Sequence, residues 1–78
     1  MDRNTMNALL STIAEAGEDG SPEGPMYAAV MGRCDLSAFQ SAMMAFERAG
    51  LITRSGHVAR PTPTLLAALE RAKAKVGA

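Results

Sequence analysis

"FERAGLITRSGHVARPT", residues 46–62, decides how the chain is read. It holds three signals in a row: the end of an apolar helical stripe, a Gly50-Leu51-Ile52 stop, and two β-prone segments, "LITR" (51–54) and "HVAR" (57–60). Ser55-Gly56 joins the two segments. β-Branched residues on either side of a two-residue connection, with a glycine free to take positive φ, predict a small hairpin.

Working upstream, Phe39, Ala42, Met43, Phe46 and Ala49 recur at helical spacing and predict a third helix that Gly50 ends. Its start has two candidates: Asp35 as a cap, or Ser37 with Gln40 three residues on, the capping-box pattern. Downstream, Thr62 and Pro63 open a last helix whose Leu65, Leu69, Ala72 and Val76 fall at i, i+4, i+7 and i+11. At the other end, Asn4 caps a first helix over about residues 5–16, with Met6, Leu9, Leu10 and Ile13 on one face and Gly17 as the stop. "EDGSPEG" (18–24) reads as a polar surface loop. A short second helix starts at Ser21 before Pro22 or at Gly24 before Pro25, buries Tyr27, Val30 and Met31, and ends at Gly32. The expected order is α-α-α-β-β-α: mainly α with a small β-hairpin, in one domain over 1–78. Phe39, Met43 and Phe46 should pack against Leu9, Ile13, Tyr27, Val30, Leu51 and Leu69.

Composition limits the classes open to such a chain. Apolar residues at 47% and charged residues at 21% belong to a folding domain rather than a disordered one. At 78 residues one small core is expected, burying roughly 60% of the unfolded surface. Cys34 is the single cysteine, so an internal disulfide is impossible, and no His or Cys cluster stands ready for zinc. It neighbours Arg33, which favours a thiolate, while burial as an inert thiol is the alternative. The longest uninterrupted apolar run, Met26 to Met31, falls far short of the ~20 residues that cross a bilayer. With no apolar stretch of secretory length at the N-terminus, a soluble cytoplasmic protein without a membrane partner is expected.

The zero net charge is unevenly spread. Up to Glu47, seven acids face Arg3 and Arg33, a balance of −5; from Arg48 on, six basic residues face only Glu70, a balance of +5. The basic half is where an anionic partner would bind. Arg71, Lys73 and Lys75 have a simpler use, offsetting the negative end of the last helix.

"LSAFQSAMMAFERAGLITR" (36–54) resembles the winged helix-turn-helix regulators of bacteria, with Ser at the helix start, spaced apolar positions, and a helix running straight into Gly-Leu-Ile-x-Arg. "ARPTPTLLAALERA" (59–72) resembles, more loosely, the family's return from its wing into a C-terminal helix. The resemblance covers roughly residues 26–72. It implies that helix three lies in a DNA major groove with Ser37, Ala38, Gln40, Ser41, Met44 and Ala45 outward. There Gln40 can read an adenine edge, Ser37 or Ser41 can reach a phosphate or base, and the remaining three offer apolar contact. It also implies a wing that meets the phosphate backbone through Arg54, His57 and Arg60, with Arg48 nearby, and a dimer formed through helices one and four. No carboxylate interrupts this wing in the sequence.

Winged helices also serve as protein-binding modules, so a second function stands beside duplex DNA. In it Ala38, Met44 and Ala45, or Leu65, Leu69 and Val76, meet a protein partner or a second copy. Met44 reads equally as core or as an exposed anchor, and His57 as a plain surface histidine. Catalysis is not expected: the single His and Cys sit in no nucleophile motif, and no glycine-rich phosphate loop follows a strand. Neither a cofactor nor a metal is implied.

Overall fold

The computed structural model describes residues 1–77, and the side chains of residues 1–73. Four helices, α1 (Arg3–Ala16), α2 (Glu23–Val30), α3 (Leu36–Arg48) and α4 (Pro63–Gly77), surround an antiparallel three-stranded sheet. The sheet comprises β1 (Ser21–Pro22), β2 (Ile52–Ser55) and β3 (Val58–Pro61) in the order β1-β3-β2. A mainly helical fold with a small hairpin is therefore the right class, with one strand more than the sequence predicted.

That strand lies inside the segment expected to be a polar loop. A single 3-10 turn, Gly17–Asp19, brings the chain back so that Ser21 pairs with Ala59 and Pro22 with Val58. Pro22 lacks an N–H, which an edge strand tolerates. Gly20 makes the return possible: its φ is +82°, and a Cβ there would run into the Val58 side chain.

Helix ends depart from expectation where two caps compete. α1 begins two residues earlier than predicted because Asp2, not Asn4, is its cap, with Oδ1 accepting from the Thr5 N–H at 2.9 Å. Of the two candidates for α3, Asp35 is the cap, accepting from the Ala38 N–H at 2.7 Å. The far end of α3 closes with the Leu51 N–H donating to the Phe46 carbonyl and the Gly50 N–H to the Glu47 carbonyl, both at 3.0 Å, while Gly50 takes φ +78°. This closure uses Leu51, so β2 starts at Ile52. The hairpin turn shifts with it and is Gly56-His57, not Ser55-Gly56, both residues having positive φ (57° and 63°), as in a type I′ turn.

Among the described residues ten form the buried core: Leu9, Ile13, Met26, Val30, Phe39, Met43, Phe46, Ile52, Ala59 and Leu65. Leu51, Tyr27 and Leu69, expected inside, are half-buried at its edge, with Tyr27 edge-on to Phe39 at 5.3 Å between ring centroids. Ala49 is exposed, because the turn at Gly50 carries it off the core face. Met31, expected inside, is 62% exposed, since α2 ends at Val30, and the buried apolar residues of α2 are Met26 and Val30. Thr62 ties the layers together. Its hydroxyl donates to the Gly50 carbonyl at 2.6 Å and accepts from the Leu65 N–H at 3.3 Å, while its own N–H donates to the Leu51 carbonyl at 3.1 Å.

Candidate nucleic-acid interface

With Phe39, Met43 and Phe46 turned into the core, α3 presents the opposite face outward. Ser37, Gln40, Ser41, Met44, Ala45 and Arg48 are all exposed, and Ala38 is half-buried beside them. Met44 is half-exposed, which settles its position: it is no core residue. Leu36 stands four residues before Gln40 and Met44 four after, so two partly exposed apolar side chains flank a polar one on the same stripe.

The hairpin reaches this face through Arg54. From β2 its Nη2 donates to Gln40 Oε1 at 3.1 Å, joining strand and helix into one surface. The same guanidinium is held from behind by Glu23, with Nη2 donating to Oε1 at 2.8 Å and Nε to Oε2 at 3.1 Å. This is the fork-on-fork geometry in which an arginine and a carboxylate match best. The hydrogen bond that Arg54 donates to Glu23 raises the Arg54 pKa above the ordinary arginine value, against the opposing effect of burial. Glu23 is itself located by its backbone N–H, which donates to the His57 carbonyl at 2.8 Å.

Arg54 is thus committed within the domain instead of reaching freely from the wing tip, and the carboxylate that the wing lacks in sequence arrives from α2. Arg60 is half-buried, its Nε donating to the Glu18 carbonyl at 3.0 Å. His57 is exposed at the turn, and Arg48 is exposed at the end of α3. The structure therefore brings Gln40 and Arg54 together, leaves Ser37, Ser41, Arg48 and His57 on the open surface, and ties Arg60 to the 3-10 turn.

The alternative protein-contact set divides differently. Leu65 is a core residue at 1% exposure, in the same buried cluster as Leu9 and Ile13 of α1, and cannot serve a partner. Leu69 is half-buried against the same core, and the side chain of Val76 lies outside the described residues. Leu66, one position from the predicted stripe, is the large apolar α4 side chain left exposed among the described residues, and it lines a groove between α1 and α4 with Ser11, Ala14 and Leu69.

Glu23 escaped the sequence reading because it stands in a run of four acids that looks like a solvated loop. A glutamate directly after Pro22, at the first position of a helix, is the one local sign of its placement. Among the described residues no group of three or more His, Cys, Asp and Glu is arranged to hold a metal ion, and no helix is long and apolar enough to cross a membrane. No protein-family model, no curated protein and no solved structure matches the chain.

Proposed function

We propose that the chain is a winged helix-turn-helix DNA-binding protein of the regulator type, with α3 entering the major groove and the β2–β3 hairpin as the wing. The element order α1-β1-α2-α3-β2-β3, with β1 paired to β3, supports the fold assignment: α2 and α3 form the helix-turn-helix and the returning strands form the wing beside it. The observation that carries the function is the Arg54–Gln40 hydrogen bond, which makes the wing and the outer face of α3 one continuous surface. Ser37, Gln40 and Ser41 meet base edges and nearby phosphates, while Arg48 and His57 lie along the backbone. With Arg54 and Arg60 engaged inside the domain, each protomer binds weakly, and a second copy joined along α1 and α4 supplies the rest.

A titration with mixed-sequence duplex DNA at low salt, followed by backbone amide signals, tests this reading. Shifts along α3 and across the Gly56-His57 turn are expected, and none at either place would end it. One observation favours a second reading. Leu36 and Met44 are each about half exposed on the outer stripe of α3, as in a face that docks another protein. In that case DNA leaves the amide signals unmoved and Met44→Ala abolishes partner binding.

A further inference from the structure

We infer that Glu23 and Arg54 act as positioning residues that fix Gln40 with its amide nitrogen outward, so that α3 reads guanine at the base it meets. The inference rests on the DNA-binding reading above.

A guanidinium donates hydrogen bonds and never accepts them. The contact between Arg54 Nη2 and Gln40 Oε1 at 3.1 Å therefore fixes which way the amide is turned: the oxygen faces Arg54, and the NH2 group faces away from it. An unrestrained glutamine turns freely and offers adenine both an acceptor and a donor. One with its oxygen engaged offers a donor edge.

Arg54 holds this orientation because it is held itself. Both oxygens of Glu23 occupy its Nε and Nη2, and the Glu23 side chain keeps only 7% of its exposure. Glu23 in turn hangs from the His57 carbonyl, next to the Pro22–Val58 pair of the sheet. Gln40 is thus oriented by a relay that runs from the edge strand through two side chains to the exposed face of α3.

Donor edges suit some bases and oppose others. In the major groove guanine places two acceptors, O6 and N7, side by side; thymine places one, O4, beside a methyl; adenine sets its one acceptor, N7, next to an amino donor; cytosine puts an amino donor forward. An outward NH2 matches guanine best: it meets two acceptors there, a single acceptor beside a like donor on adenine, and a like donor on cytosine. The structure thus replaces the adenine preference that an isolated glutamine implies.

The test is selection of a randomised duplex pool at low salt by the full chain, with base enrichment read at every position. The wild-type protein should enrich a site in which one position favours guanine over adenine by roughly tenfold, the discrimination of one good base contact. Gln40→Glu, on an exposed position that folding does not depend on, turns the donor into an acceptor and should move that one position to cytosine. Glu23→Met with Arg54→Met removes the restraint and leaves no charge unpaired in the boundary. It should let adenine in at the same position while the rest of the site is unchanged, a readout that loss of stability alone does not produce. A site whose preference ignores all three substitutions, or binding with no base preference at all, overturns the inference and leaves the DNA-binding reading standing. No retained duplex overturns both.

Discussion

Arg54 Nη2 lies 2.8 Å from Glu23 Oε1, across 31 residues of sequence, and their side chains keep 20% and 7% of their exposure. The pair sits where α2, α3 and the hairpin meet, so removing one partner costs more than removing both. Arg54→Ala should destabilise the domain by about 2–3 kcal/mol, below the ~3–5 of a fully buried pair because Arg54 keeps some solvent. Glu23→Met with Arg54→Met should fall within about 1 kcal/mol of wild type, since apolar replacement of both charges leaves neither unpaired. Urea unfolding of the three proteins checks the ordering.

Two glycines on either side of β1 should respond unequally. Gly20 has positive φ and no room for a Cβ against Val58, so Gly20→Ala should cost about 2–3 kcal/mol through strain and displacement. Gly24 lies in the first turn of α2 directly before Pro25, whose ring crowds a Cβ on a helical residue preceding it, so the entropy gain of Gly24→Ala is offset and the variant should stay within about 0.5 kcal/mol of wild type. Thermal melts of both variants decide it.

Adjacent methionines give a sharp contrast. Met43 is fully buried, and Met43→Ala should cost about 2–5 kcal/mol; Phe46→Ala, also in the core, should cost about 3–5. Met44→Ala should stay within about 0.5 kcal/mol of wild type. Equal losses at Met43 and Met44 in urea unfolding would contradict the placement of α3.

If the partner is duplex DNA, its log affinity should fall with log salt by ~0.9 for each phosphate neutralised. Arg48→Ala should then weaken binding to every sequence and lower that slope by about one such step. Met44→Ala should change binding little. Fluorescence anisotropy at several salt concentrations reads both effects, and the opposite ranking would favour the protein-binding reading.

If two copies associate along α1 and α4, as proposed, Leu66 lies at the contact. Sedimentation should show a concentration-dependent dimer that Leu66→Glu disperses, at no more than a small cost in stability because Leu66 is already 45% exposed. A monomer well above micromolar concentration would remove the second copy from the proposed complex.

The parts of this fold that could be read from the sequence are those that local periodicity dictates. Phe39, Met43 and Phe46 announce α3 and its buried face, and Leu9 and Ile13 do the same for α1, because a 3.6-residue stripe needs no knowledge of its partner. β1 could not be read. Ser21 and Pro22 carry no strand signal of their own and become a strand only by pairing with Ala59 and Val58. Glu23 was hidden for the same reason, since its burial follows from that pairing. The hairpin was visible, but its register moved by one residue because Leu51 is drawn into the helix ending and His57 accepts a left-handed backbone. At the candidate site, the exposed face of α3 was legible from its polar spacing, whereas the commitment of Arg54 to Glu23 is a contact that no sequence window contains.

Thr62 bonds to Gly50 and Leu51, so the whole excursion from the end of α3 to the start of α4 is pinched shut at its base. Beyond the Ser55–Val58 pair the tip is held on one side, where the His57 carbonyl accepts from the Glu23 N–H, while Gly56 is exposed. Lengthening a pinned loop costs little, only about 0.6 kcal/mol for each doubling. The tip is therefore a natural graft point on its Gly56 side: extra residues between Ser55 and His57 would extend the reach of the hairpin while the His57–Glu23 bond and the helices beneath it stay as they are.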